Sequence, residues 1–232
     1  MVSAIRRLLD EISWEGNARK YREGGLGLEN VLTVEVFQAL DFLPREAFLG
    51  AVLRAAIGAE SAREKAAREV ADLVVDVLPG DLSHPDIPIR AQPDAVMSSS
   101  EAYVFVEAKR IRRSSFPEEQ LARELLLAAH HAEGRPPLLL LVLGVPPPLP
   151  VRGHGALAIA DTIALGKERI SRRLGEDIAM PDPATSVAYV TWADIAKQVT
   201  LAVSAFAHPD DAATQTVRRI ASSAVDAVRV HG

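Results

Sequence analysis

Two acids and a lysine in the centre of the chain have the types and spacing to do chemistry. Asp94 follows Pro93 near the start of one apolar run, and Glu107-Ala108-Lys109 closes the next. Side chains alternate along a strand, so Tyr103, Phe105, Glu107 and Lys109 share one face while Val104, Val106 and Ala108 share the other. Glu107 and Lys109 therefore point into the same space at the strand's carboxyl end, and Asp94 can reach it from a paired strand. Two carboxylates with the backbone carbonyl of Ala108 make a hard oxygen site for Mg²⁺ or Mn²⁺, ions that keep several waters for exchange. The ammonium of Lys109 can orient or deprotonate an attacking water and offset charge developing on a phosphate. Metal-assisted hydrolysis of a phosphodiester calls for this set of groups.

Positioning them takes two strands and a tight turn. Residues 89–97 and 102–110 read as adjacent strands, joined by the polar hairpin turn Ser98-Ser99-Ser100-Glu101. Asp94 and Lys109 are then expected at the sheet edge, outside its core. Pro117 opens a helix with an acidic start that runs to Gly134, a suitable stop. The unbroken apolar run 138–145 reads as a buried strand and ends at Pro146-Pro147-Pro148. A helix over 156–174, a strand over 187–191, a helix over 193–206 and an amphipathic terminal helix over 211–230 complete the chain. Upstream, residues 1–24 read as an amphipathic helix ending in the Gly-rich turn before Gly27, followed by helices over 28–40 and over 44–57 with Pro44 in its first turn. A charged, alanine-rich helix starts at Glu60; residues 73–78 suit either its continuation or a strand. This order indicates an α/β sandwich with a mixed central sheet flanked by helices.

Composition sets the outer bounds. With 232 residues, the chain suits one sizeable domain with a core over about 28–206 and helical extensions over 1–24 and 211–230. A hydrophobic share of 48% beside 25% charged residues excludes a disordered chain. No cysteine is present, which excludes disulfides and thiolate zinc sites and makes a reducing cytoplasm the expected location. No signal-like apolar core opens the sequence, and no run is long enough to span a bilayer. The net charge of −5 speaks against broad electrostatic coating of nucleic acid and for a discrete binding cleft.

The Pro93-Asp94 … Glu107-Ala108-Lys109 pattern resembles the PD-(D/E)xK phosphodiesterase superfamily, which includes restriction endonucleases, Holliday-junction resolvases and repair exonucleases. The resemblance covers roughly residues 28–145. It implies a restriction endonuclease-like sandwich, a Mg²⁺ or Mn²⁺ cofactor, and metal-dependent cleavage of nucleic acid, DNA by expectation, of a restriction, defence or repair type. It implies a further acid on a flanking helix, where Glu29 stands just after a Gly-containing turn and Glu35 is the runner-up. Six helical residues separate these two by about 600°, roughly 120° from facing alike, so one of them is expected to serve. Many members carry a glutamine on the helix after the lysine strand, and Gln120 occupies that position. The tyrosine that several exonuclease branches place four residues on is replaced by Glu124, a departure from those branches.

Beyond the acids, Lys109-Arg110-Ile111-Arg112-Arg113 is a basic cluster in which Arg110, Arg112 and Arg113 suit phosphate contacts, with a solvated strand end as the plain reading. Arg169, Arg172 and Arg173 could extend that surface or form an exposed helix face. His130-His131 suits a helix end, His154 lies in a loop within reach of phosphate, and Trp192 reads as core. No Walker, GxSxG or HExxH motif is present. Two function classes follow: a metal-dependent nuclease, or a catalytically inactive relative serving as a nucleic-acid-binding or assembly scaffold. The terminal amphipathic helices suit either pairing of two protomers, as double-strand cutting would favour, or covering of the sheet.

Overall fold

The computed structural model describes residues 26–109 and 115–231. The helix expected over 1–24 and the basic residues Arg110, Arg112 and Arg113 lie outside the described residues. Helix α1 (Leu26–Phe42) is apolar round most of its circumference and stops before Pro44, whose ring disfavours helical backbone in the residue preceding it. The helix expected from Pro44 instead begins as α2 (Leu49–Ala55). Between them Ala47 N–H donates to Pro44 O (3.0 Å) and Gly50 N–H to Arg45 O (2.8 Å), a mixed set of turn closures in place of a regular ladder. β1 (Ile57–Gly58) leads into α3 (Glu60–Arg68). The ambiguous 73–78 stretch resolves as strand β2 (Val74–Val77), in keeping with its β-branched content.

The strand expected over 89–97 is broken. Its first part is β4 (Arg90–Ala91), which pairs with β3 (Leu82–Ser83); its last part is β5 (Ala95–Ser98). Pro93 accounts for the break, because it has no N–H to give to a sheet ladder. Asp94 follows it, fixed by its backbone: its N–H donates to Val106 O (3.0 Å) and its carbonyl accepts from Leu78 N–H (2.9 Å). β6 (Tyr103–Lys109) pairs antiparallel with β5, so Ala95 lies opposite Val106.

After β6 come α4 (Gln120–His131) and β7 (Pro137–Leu143), which returns parallel to β6 with Glu107 opposite Leu141 and Lys109 opposite Leu143. Pro117-Glu118-Glu119 is a turn before α4 and not its first turn, with Gln120 N–H donating to Pro117 O (3.0 Å). The helix expected from Ala156 starts three residues late, because Gly155–Leu157 is strand β9 paired with β8 (Leu149–Val151). Helix α5 (Ile159–Leu174) follows, then the short α6 (Pro183–Ser186), β10 (Val187–Thr191), α7 (Trp192–Ala205) and α8 (Asp211–His231).

The main sheet runs β1-β10-β7-β6-β5-β2, parallel across β10, β7 and β6 and antiparallel elsewhere. It is a mixed sheet flanked by helices on both faces. Alternation along β6 divides the core in two. Val104, Val106 and Ala108 join Leu32, Phe37, Leu53 and Ile195 from α1, α2 and α7, while Tyr103 and Phe105 join Leu121, Leu125 and Ile163 from α4 and α5. At roughly 1.5–3 kcal/mol for each large apolar side chain taken out of water, the two faces clamp β6 at the centre of the molecule. α8, expected as an extension, adds Ala221, Ala227 and Val228 to the first core and so belongs to it. α5 meets the start of α4 at Gly166, where an added Cβ would come within 2.8 Å of Glu118 O and 2.7 Å of Ala122 Cβ; only a glycine permits that approach. No helix among the described residues is long and apolar enough to cross a membrane.

Candidate active site

Four elements deliver polar and charged side chains to the carboxyl end of β6. Asp94 comes from the Pro93 break before β5, Glu107 and Lys109 from β6, Glu29 from the first turn of α1, and Gln120 and Glu124 from one face of α4. Lys109 Nζ donates to Glu107 Oε1 (2.6 Å) and to Glu29 Oε1 (3.3 Å), spanning 80 residues of sequence. Gln120 Nε2 donates to Glu107 Oε1 (2.5 Å) and Glu124 Oε1 (2.8 Å). These two residues are four apart on α4 and so lie one above the other on the same face. Ala108 N–H donates to Asp94 Oδ2 (2.7 Å). The Lys109 ammonium also lies 5.8 Å from the centre of the Phe116 ring.

The acids are withdrawn from water. Asp94 and Glu29 are 8% exposed, Glu107 3% and Glu124 2%. Asp94 was expected at the sheet edge outside the core; the structure buries it, with Leu78, just past β2, and Val106 of β6 holding its backbone from both sides. Glu35 is exposed on α1 while Glu29 reaches Lys109, so helical phase separates the two as the six-residue spacing requires.

Burial governs the proton affinities. Desolvation first, then the neighbouring Glu107 carboxylate, pushes Asp94 well above the ordinary carboxylate range despite the Ala108 N–H. Glu107 is raised by burial, with Lys109 pulling against the rise. Glu124 is pushed well up by burial and by Glu107. Burial alone would lower Lys109, but Glu107, Glu29 and Asp94 outweigh it, so the amine is held as an ammonium more firmly than a free lysine. One positive charge thus faces four acids. Glu124 Oε2 has no hydrogen-bond donor facing it; its neighbour is Glu107, to which a protonated Glu124 would itself donate.

Among the described residues no three acidic or histidine side chains are already gathered about one point as a metal site. The physical reason is visible in the contacts: Lys109 Nζ stands against both Glu107 and Glu29, and Asp94 is engaged by the Ala108 amide. The donor chemistry nevertheless fits a divalent cation. The acids are hard oxygen donors, they outnumber the cationic groups, they are buried, and one Glu124 oxygen lacks a donor. Asp94, Glu107, Glu29 and the Ala108 carbonyl are the groups that would hold it.

Other singled-out residues fall elsewhere. His154 Nε2 meets Glu118 Oε1 (2.9 Å), and Arg169 and Arg173 pair with Glu118 (2.6 Å) and Glu119 (3.0 Å) just ahead of α4. Arg172 pairs with Glu168 on its own helix. His130 and His131 pack near His84 and Tyr103, away from the acids. Trp192 is core, as read, but it does more: its Nε1–H donates to Lys109 O (3.3 Å), pinning the end of β6. Thr191 and Asp194 fix Trp192 by a reciprocal capping box at the start of α7. The T-x-x-D pattern is readable in sequence; its role in steadying Lys109 is not. Comparison with protein-family models, with curated proteins and with solved structures gives no match.

Proposed function

We propose that the chain is a metal-dependent nuclease that hydrolyses phosphodiester bonds, DNA being the expected substrate and a reducing cytoplasm the expected setting. The observation that carries this reading is the convergence of Glu29, Asp94, Glu107, Lys109 and Gln120, far apart in sequence, at the buried end of one strand. A Mg²⁺ or Mn²⁺ ion held by Asp94, Glu107, Glu29 and the Ala108 carbonyl would act as Lewis acid and lower the proton affinity of an attacking water.

The protein's own groups divide the remaining work. Lys109 is kept protonated by its acidic neighbours, so it serves to donate hydrogen bonds and offset charge on the phosphate rather than to take a proton from water. Gln120 holds Glu107 by one amide hydrogen and Glu124 by the other, which fixes the direction of the Glu107 carboxylate. The Ala108 amide does the same for Asp94. Trp192 steadies the backbone that carries Lys109.

A second reading, an inactive scaffold of the same kind, is favoured by the Lys109 ammonium lying between Glu107 and Glu29, where it already offsets part of their charge. Cleavage of supercoiled plasmid and of labelled single-stranded DNA in Mg²⁺, Mn²⁺ or EDTA, beside Lys109→Ala, separates the two. Metal-dependent cutting that the variant loses supports the nuclease. Silence on every substrate, with no rise in melting temperature on adding metal, supports the scaffold.

A further inference from the structure

A cleft of about 580 Å³ opens beside the carboxylates, lined by His84, Arg90, Glu119, Arg123 and Arg173 and by none of the acids of the candidate active site. Its position follows from helical phase. Gln120 and Glu124 face the acids; Glu119 and Arg123 precede each of them by one residue, about 100° round the axis. The two regions therefore share the first turns of α4 and lie a helix width apart, on the order of 10 Å. A nucleic-acid strand covers that distance in about three nucleotides at roughly 3.4 Å each, and in fewer when extended.

The cleft is cationic and has donors to spare. Its carboxylate, Glu119, is taken by Arg173 at 3.0 Å. Arg90 is exposed on the short strand β4, and neither it nor Arg123 makes an ion pair with a described residue. Arg123 Nε is buried with no hydrogen-bond partner. A desolvated guanidinium N–H left unpaired is costly, and an anion in the cleft would satisfy it. His84 Nδ1 accepts from the backbone N–H groups of Asp86 (3.2 Å) and Ile87 (3.3 Å), which leaves Nε2 as the protonated, donating nitrogen. Planar guanidinium forks converging from three separate elements match the oxygens of a phosphate.

We propose that this cleft seats a phosphate group of the strand being cut, one to three nucleotides from the phosphodiester at the carboxylates; this rests on the nuclease reading above. The group is either an internal backbone phosphate or a terminal 5′-phosphate. The test uses the full chain carrying Lys109→Ala, so that a strand is bound with Mg²⁺ and not cut. Binding of 3′-labelled oligonucleotides bearing a 5′-phosphate or a 5′-hydroxyl is followed by fluorescence anisotropy at several salt concentrations. Adding Arg90→Ala with Arg123→Gln should weaken binding about tenfold or more and reduce the salt slope by about 2; Arg90→Ala alone, at an exposed position that folding tolerates, should reduce it by about 1. A preference for the 5′-phosphate that vanishes in the double substitution identifies the terminal group. Equal loss for both strands identifies an internal one. Unchanged affinity and slope, or no binding by the Lys109→Ala chain at all, overturns the proposal. Cleavage by the otherwise unaltered chain is scored separately, so the cleft can fail while the nuclease stands, or hold while cleavage proves absent.

Discussion

At the carboxyl end of β6, four acids and one ammonium are packed out of water. Across the first turns of α4, three guanidinium groups line an open cleft with a single, already paired carboxylate. The two regions differ in sign, in hydration and in what their groups lack. The buried acids outnumber the one ammonium beside them, and burial first, then neighbouring carboxylates, raises the proton affinities of Asp94 and Glu124. Arg173 has Glu119, but Arg90 and Arg123 have no carboxylate partner among the described residues. Adjacent positions at the start of α4, 119 and 123 against 120 and 124, send side chains into each, so α4 joins a closed acidic pocket to an open cationic cleft.

On the proposed nuclease reading, substitutions among the buried acids should act on chemistry and those in the cleft on strand affinity. The largest expected effect tests the first half. Asp94→Asn keeps an acceptor for the Ala108 amide but removes the charge, whereas alanine would leave that amide unpaired. With Asp94→Asn or Lys109→Ala, kcat for metal-dependent cleavage should fall about 10³-fold, within the range for losing a charged catalytic group, with the circular dichroism spectrum unchanged. Cutting at the unaltered rate in either variant breaks the assignment of the acidic end as the reacting one.

Next in size is Gln120→Ala. The amide bridges Glu107 and Glu124, so its removal frees both carboxyls and should lower kcat by about 10–100-fold while strand affinity in the non-cutting background stays constant. A loss confined to affinity would place Gln120 with the cleft and erase the division along α4.

How much of this division is written in the sequence differs between its two sides. Asp94, Glu107 and Lys109 could be brought together in advance because strand alternation has period two and the hairpin is short. Glu29 was named by the resemblance, as the acid just after the Gly-containing turn, and helical phase added only that one of Glu29 and Glu35 would serve. Burial of Asp94 could not be read, since it depends on Leu78 and Val106 closing on its backbone from either side. The break at Pro93 overrode the apolar pattern that suggested one long strand, and pairing of Gly155–Leu157 with β8 overrode a helical pattern. Of the cleft, only Arg173 was singled out in the sequence, as one of three arginines that could extend a phosphate-contacting surface. Arg90 and Arg123 are ordinary charged residues in their own segments, and only the packing of β4, α4 and α5 makes them neighbours of Arg173.

A smaller effect concerns pH. A carboxyl whose proton affinity is raised by folding favours the protonated form, so the folded protein binds more protons than the unfolded chain above the ordinary carboxylate range. Stability then falls as pH rises from about 4.5 through the raised value of Glu124, and the loss persists above it. Glu124→Gln keeps an acceptor for Gln120 and removes this liability. In EDTA the variant should be more stable than the unaltered chain, with a rise in Tm that is larger at pH 8 than at pH 5. A gain that does not grow with pH would mean that the charge at Glu124 is already compensated.

The smallest contrast asks whether burial, and not acidity alone, gives an acid its role here. Glu29 and Glu35 lie on the same helix, carry the same group and differ in surroundings: one is 8% exposed against Lys109, the other faces solvent. Glu29→Gln removes the negative charge beside the Lys109 ammonium and one carboxylate oxygen, while its amide oxygen can still accept from Lys109, so the Mg²⁺ concentration for half-maximal cleavage should rise several-fold. Glu35→Gln should leave it unchanged and move stability by no more than about 0.5 kcal/mol, as surface substitutions do. A titration of cleavage against Mg²⁺ for both variants reads this directly. Equal shifts would mean that long-range charge sets the metal requirement, and the line between a buried acidic end and a solvated surface would lose its chemical meaning. A shift in Glu29→Gln alone would tie that requirement to the side chains that touch Lys109.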